Sequence, residues 1–237
     1  MKKIAIIIPT YNEKDNIKKL IQKIKKNIKN VILYIIDDSP KPEIGEVINS
    51  NFKDVNYIFR KNKKGRGSAV LYGISKALKN KKINLIIEMD ADFSHNPNEL
   101  KKKINYFKNK KLDMLIASRY LKSSKIINWS LSRRIFSLLS NILARFFLKI
   151  NIKDFTNGFR FYSIRSAKKI VKKCGNIGGG FIILSEIIVV IYNNHLKIEE
   201  LPTTFVNRTR GKSSVTLRLI IQSFLGLVKL TFIKNKL

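Results

Sequence analysis

Short apolar runs rich in Ile and Val alternate with amphipathic segments through the first half of the chain. The apolar runs cover residues 4–8, 31–36, 55–59, 85–89 and 114–117. Each run is typical of a buried parallel strand. Apolar residues at helical spacing predict a helix that begins near Asn12 and two further helices over residues 68–78 and 98–107. The alternation predicts an α/β fold with a doubly wound, mainly parallel sheet and helices on both faces.

The second half of the chain is less regular. Residues 131–148 predict a long apolar helix that carries several arginines, and residues 199–206 predict a short edge strand that contains Pro202. A glycine-rich stretch, residues 175–180, precedes an apolar run over residues 181–192. No internal repeat and no linker-like segment separates the two halves.

The C-terminal segment, residues 215–233, is mostly apolar but contains Arg218, Gln222 and Lys229. A helix that crosses a bilayer needs about 20 apolar residues, and charges near its centre are costly. We therefore expect an amphipathic helix that lies at a membrane interface. A terminal helix packed on the domain fits the same pattern equally well, and a membrane span fits it least.

Basic residues dominate the charge, with 48 Lys and Arg against 16 Asp and Glu and a net charge of +32. Such a charge attracts nucleic acid, anionic membranes and phosphorylated substrates alike. Many of the lysines are typical of a solvated helix face in a chain rich in Ile and Asn. A single cysteine and two histidines exclude a disulfide framework and a zinc site built from Cys or His. The N-terminal apolar run is short and is broken by Pro9, which predicts a first strand rather than a signal peptide.

Acidic residues follow the predicted strands where ligands collect in sheets of this kind. Asp90 and Asp92 come directly after an apolar strand, and two carboxylates at this spacing can share Mg²⁺ or Mn²⁺ with substrate phosphates. The same pattern is common in surface turns, and His95 close behind it is expected to be structural. Asp37 and Asp38 follow the second strand, where they could bind a base or a ribose.

The segment after the first strand, Pro9-Thr10-Tyr11-Asn12-Glu13, combines an aromatic ring with a hydrogen-bond acceptor. Tyr11 can stack on a base, and Glu13 can accept hydrogen bonds from a sugar or a base edge. The alternative is a plain turn in which Glu13 serves the N-terminus of the next helix.

Arginines cluster in three places, at Arg119 after a strand, at Arg133 on the long helix, and in a late loop at Arg208 and Arg210. Arginine suits bidentate capture of phosphate, and three such sites suggest more than one phosphate to hold. Scattered surface ion pairs are a weaker alternative, because few acidic residues are present to form them.

Several segments in order resemble the family 2 glycosyltransferases, and most closely the dolichol-phosphate (polyprenol-phosphate) mannosyltransferases. The segments are PTYNE, DDSP, GRGSA, MDADFSHNP, ASRY, NWSLSRR, DFTNGFRFY, GGGFIILSE and ELPTTFVNRTRGKSS. The resemblance implies a GT-A fold, a nucleotide sugar such as GDP-mannose, a Mg²⁺ or Mn²⁺ cofactor and a membrane-embedded polyprenyl phosphate acceptor. It implies a catalytic domain over residues 1–206, followed by an acceptor-phosphate loop and membrane-interfacial segment over residues 207–237.

The resemblance also implies roles for individual residues. It implies catalytic roles for Asp92, Arg119 and Arg133, and metal binding by Asp90, Asp92 and Ser94, with Ser94 at a position where many relatives have Gln. The implied nucleotide-sugar contacts are Pro9, Tyr11, Glu13, Asp37, Asp38, Asp90, Ala91, Asp92 and Arg119. The implied acceptor-phosphate contacts are Arg119, Arg133, Arg208, Arg210 and Lys212. DDSP is one residue shorter than the family motif, which leaves open whether Asp37 or Asp38 binds the nucleoside, and Ser214 replaces a lysine for which Lys212 or Arg210 could substitute.

These expectations describe an inverting transferase that acts peripherally on the cytoplasmic face of a membrane, with a small membrane protein as a possible partner. A relative that uses a UDP-sugar such as UDP-glucose, or a soluble acceptor, is the nearest alternative. A basic nucleic-acid-binding protein and a catalytically inactive scaffold are alternatives from other classes, although the sequence contains no recognisable nucleic-acid-binding motif.

Overall fold

The computed structural model describes residues 2–61, 65–178, 182–207 and 217–237. The strands are β1 (Lys3–Thr10), β2 (Val31–Asp37), β3 (Val55–Phe59), β4 (Ile83–Glu88), β5 (Met114–Ser118), β6 (Lys125–Ile127), β7 (Arg160–Ser163), β8 (Ile198–Pro202) and β9 (Thr204–Val206). The helices are α1 (Lys14–Asn27), α2 (Glu43–Asn51), α3 (Arg66–Leu78), α4 (Leu100–Asn109), α5 (Leu131–Leu148), α6 (Ile164–Lys173), α7 (Ile182–Asn193) and α8 (Leu217–Ile233).

Seven of the strands form one sheet in the order β3-β2-β1-β4-β7-β5-β8. β7 runs antiparallel to both of its neighbours, and every other pair in this sheet is parallel. β6 and β9 form a separate parallel pair. The predicted α/β fold with a mainly parallel sheet is confirmed.

The sheet is covered by helices on both faces because alternate side chains of its central strands point in opposite directions. Ile6 and Ile8 of β1 join one apolar core with α1, α2 and α4. Ala5 and Ile7 of the same strand join the other core with α3, α6 and α7. Both cores consist mainly of the β-branched and aliphatic residues whose periodicity predicts the strands and helices.

The carboxyl ends of β1, β2 and β4 meet at one edge of the sheet. β1 lies between β2 and β4, and the chain connects outward from it in both directions. Such a reversal of strand order opens a crevice at the carboxyl ends of the strands, where α/β proteins bind ligands. The acidic segments identified in the sequence follow these strand ends.

Several element boundaries differ from the sequence prediction. The first helix begins at Lys14 rather than near Asn12, because Asn12 has a φ of 57° and cannot continue a right-handed helix. The predicted strand over residues 199–206 is two strands in different sheets, separated at Thr203, whose backbone N–H bonds to the carbonyl of Ser118. A 3₁₀ turn, Pro97–Glu99, precedes α4.

The C-terminal helix α8 packs on the domain through one face. Leu227 and Leu230 are buried in the core that also contains α7, and a Cβ placed on Gly226 would lie 2.8 Å from Ile182 Cγ1. Phe224, Leu225 and Phe232 are exposed. Within the described ranges, no helix is both long enough and apolar enough to cross a membrane.

Candidate functional site

The first loop at the carboxyl edge places an exposed aromatic ring beside the second strand. Pro9 and Thr10 end β1, and the ring of Tyr11 beyond them is 39% exposed. The backbone N–H of Asn12 donates to the Ser39 hydroxyl at 2.9 Å, which ties this loop to the segment after β2. Glu13 Oε2 accepts from Asn16 Nδ2 at 2.7 Å, so this carboxylate faces the first turn of α1.

The two neighbouring acids at the end of β2 have different hydrogen-bond partners. Asp37 is fully buried and accepts hydrogen bonds from the backbone N–H of Ser39 at 3.0 Å and from the Tyr57 hydroxyl at 2.9 Å. Burial and the hydrogen bond to Asp37 both raise the pKa of Tyr57. Asp37 is thus a structural acceptor that fixes the end of β2.

Asp38 is also buried, and it forms an ion pair with Arg60. Both of its oxygens accept from Arg60, from Nε and from Nη2, at 2.6 Å each. Arg60 also lines an open cavity of about 550 Å³ together with Ser68, Tyr72 and other residues of α3 and α6. Asp38 is therefore linked to this cavity through Arg60, although it does not line the cavity itself. Arg60 was not identified from the sequence, because nothing in its spacing indicates a partner on another strand.

Arg66 holds the first acid of the Asp90-Ala91-Asp92 segment. Its Nε and Nη2 donate to Asp90 Oδ1 at 2.9 and 2.7 Å, and its Nη1 donates to Glu88 Oε1 at 2.7 Å. Burial opposes the charge of Arg66, but the carboxylates of Asp90 and Glu88 outweigh burial and raise its pKa above the ordinary value. The other oxygen of the fully buried Glu88 accepts from the Tyr162 hydroxyl at 2.7 Å.

Close packing against Gly158 leaves no room for a side chain beside Arg66. A Cβ on Gly158 would lie 1.9 Å from Arg66 Nη2. The GRGSA and DFTNGF segments, distant in sequence, are therefore packed against each other at the acidic edge. Arg66 belongs to the GRGSA segment, but no binding or catalytic role was predicted for it from the sequence.

The turn after Asp90 is held by its own backbone and by a buried histidine. Asp92 Oδ1 accepts from the backbone N–H of Ser94 at 3.1 Å, and Phe93 between them has a φ of 62°. His95 Nδ1 accepts from the backbone N–H of Asp90 at 3.0 Å, so its ring proton is on Nε2, which donates to Asn157 Oδ1 at 2.9 Å. His95 is a structural residue of this turn, as expected. The side chain of Ala91 is buried in the core, so only its backbone can contact a ligand.

Oxygen atoms suited to a hard cation are present in this turn. The carboxylates of Asp90 and Asp92 are ligands that Mg²⁺ and Mn²⁺ prefer. Ser94 Oγ is buried and has no hydrogen-bond partner in the described part of the chain, which fits a polar atom that awaits a ligand. No group of three His, Cys, Asp or Glu side chains that could hold a metal occurs among the described residues. A cation here would therefore need substrate or water oxygens as well.

Arg119 follows β5 and is buried in an ion pair. Its Nε and Nη2 donate to the two oxygens of Asp154 at 2.8 and 2.7 Å, and Nη2 also donates to the Thr156 hydroxyl. Burial alone would raise the pKa of Asp154, but the charge and hydrogen bonds of Arg119 lower it below the ordinary value. The negative charge of Asp90 also contributes to the raised pKa of Arg119.

Arg133, in the first turn of α5, lies beside the same cluster. Its Nη1 donates to Asn207 Oδ1 at 2.7 Å, and its guanidinium carbon lies 4.2 Å from the centre of the Trp129 ring. Arg119 lies 5.4 Å from the same ring. Arg208, Arg210 and Lys212, the other predicted acceptor-phosphate contacts, lie outside the described residues.

A row of aromatic rings in T-shaped contact connects the acidic turn with the two arginines. The ring of Phe205 lies 5.6 Å from the ring of His95 and 5.2 Å from the ring of Trp129. His95 bonds to Asp90, and Trp129 contacts Arg119 and Arg133. Asp90, Arg119 and Arg133 are therefore connected through contacting side chains, although the segments that carry them are far apart in sequence. The aromatic residues that connect them were not predicted.

An apolar surface lies next to this site on α5. Only Asn141, Ala144 and Leu148 of this helix are buried. Its exposed apolar side chains include Leu131 and Phe146, each 73% exposed, and Ile135, Phe136, Leu138, Leu139, Ile142 and Leu143. An apolar patch of this size on a helix surface marks an interaction site. The sequence pattern predicted such a surface for the C-terminal segment, not for α5.

Comparisons with known sequences identify two relatives that cover most of the chain. A family model described as Glycosyl transferase family 2 matches residues 5–171. The Dolichol-phosphate mannosyltransferase of Pyrococcus furiosus is 35% identical over 220 residues, which are 90% of this chain and 59% of that protein. The Polyprenol monophosphomannose synthase of Mycolicibacterium smegmatis is 29% identical over 215 residues, 89% of this chain and 80% of that protein. The chain thus spans less than two thirds of the length of the first relative.

Solved structures with the same architecture include glucosyl-3-phosphoglycerate synthase from Mycobacterium tuberculosis. Its complex with Mn²⁺, UDP and glucosyl-3-phosphoglycerate matches with a TM-score of 0.68 at 13% identity, covering 99% of this chain and 80% of that chain. Its complex with Mg²⁺ and UDP matches with a TM-score of 0.65 at 12% identity, covering 99% and 79%. At such identities the likeness concerns the fold alone, and it confirms the predicted GT-A-type architecture.

Proposed function

The chain belongs to glycosyltransferase family 2, and on this premise we propose that it transfers a mannosyl residue from GDP-mannose to a polyprenyl phosphate. The product is a β-linked polyprenyl phosphate mannose. The names of the two relatives, a dolichol-phosphate mannosyltransferase and a polyprenol monophosphomannose synthase, support this choice of sugar and acceptor.

The observation that carries the proposal is the continuity of the acidic turn and the arginine pair. The reaction brings together two anionic substrates that repel each other, so it needs both a diphosphate site and a separate cationic site nearby. The ring row of His95, Phe205 and Trp129 spans from Asp90 to Arg133. This arrangement has no evident use in binding nucleic acid.

The donor nucleotide occupies the acidic edge in this proposal. Tyr11 stacks on the base, and Asp38 with Arg60 binds the nucleoside, while Asp37 keeps its structural role. Pro9 and Glu13 shape the loop beneath the base. Asp90, Asp92 and Ser94 hold Mg²⁺ or Mn²⁺ together with the diphosphate, in keeping with the ions in the crystals of glucosyl-3-phosphoglycerate synthase. The chemistry that such a cation supplies is neutralisation of the departing diphosphate.

The acceptor phosphate binds on the other side, at Arg133, and Arg208, Arg210 and Lys212 are its further contacts in this proposal. Arg119 supports this corner through Asp154 and adds positive charge next to Asp90. A phosphate monoester is already largely ionised near neutral pH, since its second pKa is about 6, so the reaction needs no carboxylate base. An oxygen of the acceptor phosphate forms a bond to the anomeric carbon as the bond from that carbon to the diphosphate breaks. The nucleoside diphosphate leaves with the electron pair, and attack from the opposite face inverts the anomeric centre.

The exposed apolar face of α5 supports action at a membrane surface. A polyprenyl chain is apolar and long, so its phosphate is presented at the interface where Arg133 at the start of α5 can reach it. Exposed Phe224, Leu225 and Phe232 of α8 add to this surface. We propose that the protein associates peripherally with the cytoplasmic face of a membrane, where its net charge of +32 favours anionic lipids, and that a small membrane protein can assist it.

The test is transfer of sugar from a panel of radiolabelled nucleotide sugars into lipid. The purified chain is incubated with polyprenyl phosphate and GDP-mannose, UDP-glucose or UDP-mannose, with Mg²⁺, with Mn²⁺ and with a chelator. We expect label in the lipid fraction from GDP-mannose only, and only with a cation. Label from UDP-glucose instead would contradict the donor. Salt-sensitive binding of nucleic acid without any transfer would contradict the enzyme.

A further inference from the structure

Trp129 stands between the two arginines of the cationic site. Its ring centre lies 4.2 Å from the guanidinium carbon of Arg133 and 5.4 Å from that of Arg119, and the edge of Phe205 packs on it at 5.2 Å. An indole ring is the best aromatic partner for a guanidinium group. Trp129 therefore fixes the separation of two cations that would otherwise repel each other.

The polar atom of this ring has no hydrogen-bond partner in the described part of the protein. Trp129 is 8% exposed, and its Nε1–H is buried without a hydrogen-bond partner among the described residues. Buried donors are normally paired, and an unpaired one carries a desolvation penalty, so this N–H calls for a partner that arrives with a ligand.

The location of the ring indicates the chemistry of that partner. Trp129 directly precedes α5, where Ser130 caps the helix by accepting from the backbone N–H of Arg133 at 3.3 Å. A long helix attracts anions to its N-terminus. The indole N–H can only donate, so it suits an acceptor-only group such as an ionised phosphate oxygen.

We propose that Trp129 Nε1–H donates a hydrogen bond to the acceptor phosphate, while its ring holds Arg133 in position for the same group. The donor diphosphate is the less suitable partner, because it belongs at Asp90 and Asp92, on the far side of His95 and Phe205. The exposed apolar face of α5 begins next to Trp129, where the lipid chain of the acceptor would leave the site. This inference rests on the proposed function and adds a residue that binds the acceptor.

The first test uses fluorescence, because Trp129 is the single tryptophan of the chain. The wild-type protein is titrated, without donor, with a short-chain polyprenyl phosphate, with inorganic phosphate and with the matching polyprenol. We expect a change in emission with the polyprenyl phosphate, a similar change with inorganic phosphate at higher concentration, and none with the alcohol. An equal response to the alcohol, or no response to either phosphate, would overturn the proposal. A response to the polyprenyl phosphate alone supports a site that also needs the isoprenoid chain of the lipid for binding.

The second test separates the hydrogen bond from the ring. Trp129→Phe keeps an aromatic face for Arg133 but removes the donor, and Trp129→Leu removes both. We expect the KM for polyprenyl phosphate to rise about tenfold or more in Trp129→Phe, as for loss of a hydrogen bond to a charged group, and further in Trp129→Leu. The donor KM should stay within about twofold in Trp129→Phe, which also serves as the control for folding. An unchanged acceptor KM in Trp129→Phe would overturn the hydrogen bond.

The two tests also separate this inference from the proposed function. If the wild-type protein transfers no sugar to polyprenyl phosphate from any nucleotide sugar, the proposed function fails, and the fluorescence titration still decides whether Trp129 responds to phosphate. If the wild-type protein transfers mannose and Trp129→Phe has normal kinetics, only the role of Trp129 fails.

Discussion

Arg66 donates from Nε and from Nη2 to the same oxygen of Asp90, at 2.9 and 2.7 Å. Both bonds end on Oδ1, so they fix the position of the carboxylate. The third guanidinium nitrogen pairs with the buried Glu88 at 2.7 Å. A residue that follows β3 thereby sets the orientation of the first acid after β4.

Replacement of Arg66 should destabilise the protein, because the buried carboxylate of Glu88 would lose its positively charged partner. Arg66→Met leaves a fully buried carboxylate without its cation, and loss of one partner of a buried pair costs about 3–5 kcal/mol. We expect a corresponding loss in the free energy of unfolding, measured by urea denaturation. The double variant Arg66→Met with Glu88→Gln should recover most of it, because the amide carries no charge. Equal stability of the single and double variants would contradict the role of Glu88.

Asp92→Asn should abolish activity while leaving the fold intact. The asparagine oxygen can still accept from the Ser94 N–H, but it is a much poorer ligand for a divalent cation. We expect transfer into lipid to fall by about 100-fold or more, with a melting temperature close to that of the wild type. Asp15→Asn, at an exposed acid on α1, is the matched control and should retain activity. Full activity of Asp92→Asn in the presence of a chelator would exclude a metal at this turn.

The two acids after β2 should respond differently to the same substitution. Asp37→Asn replaces an acceptor of several buried donors and should cost about 1–3 kcal/mol of stability, with little effect on the donor KM. Asp38→Asn should instead raise the donor KM by about tenfold through its weaker hold on Arg60. Because the variant removes one partner of a buried ion pair, it should also cost about 3–5 kcal/mol of stability. Thermal melts and donor titrations of both variants check this pair. The reverse pattern would assign the nucleoside to Asp37.

The apolar face of α5 should bind lipid vesicles. Leu139→Glu with Ile142→Glu places two charges on exposed positions, where substitutions have little effect on folding. We expect sedimentation with anionic vesicles to fall about tenfold or more, because charge is costly in the interfacial region. Asn49→Glu with Asn51→Glu, at exposed positions of α2 on the other face of the sheet, adds the same charge and should bind normally. Equal binding by both variants would mean that lysines alone hold the protein to lipid, which high salt would then reverse.

Glu186 of α7 should make stability depend on pH. Burial raises the pKa of this carboxyl, and only one of its oxygens has a partner in the described chain, the backbone N–H of Gly175 at 2.9 Å. The folded state therefore binds the proton more tightly than the unfolded state, and stability falls as pH rises above the ordinary glutamate pKa. Glu186→Gln should be more stable than the wild type at pH 8, and the difference should vanish near pH 4, as measured by denaturation at both pH values. A pH-independent difference would contradict this.

The sequence predicts the strands whose residues are buried on both faces, because continuous apolar runs such as that of β1 leave little choice of structure. It does not predict β7, which is short and contains the buried Arg160, whose charge is accommodated by backbone carbonyls of distant residues such as Leu184. It also misses α2, whose apolar positions are few. Local pattern carries no information about such long-range partners.

The charged residues of the site could be predicted from the sequence, but their spatial arrangement could not. Acids and arginines at strand ends indicate phosphate chemistry, and both Asp90 and Arg133 lie where ligands are expected. Arg60, Arg66 and Trp129 act through partners on other elements, so their roles depend on distances that only the folded chain defines. The choice between Asp37 and Asp38 likewise depends on their partners in the fold, Tyr57 for Asp37 and Arg60 for Asp38.

The position of β7 has a consequence for how the protein is made. β4 and β5 are separated in the sheet by a strand that the ribosome delivers only after both of them and after α5. Until Arg160–Ser163 emerges, β4 lacks one neighbour and β5 lacks both of its neighbours, β7 and β8. Unpaired strand edges of this kind are templates for aggregation. A truncated polypeptide that ends before Arg160 should form inclusion bodies. One that ends after Ser163 already contains the strand that lies between β4 and β5.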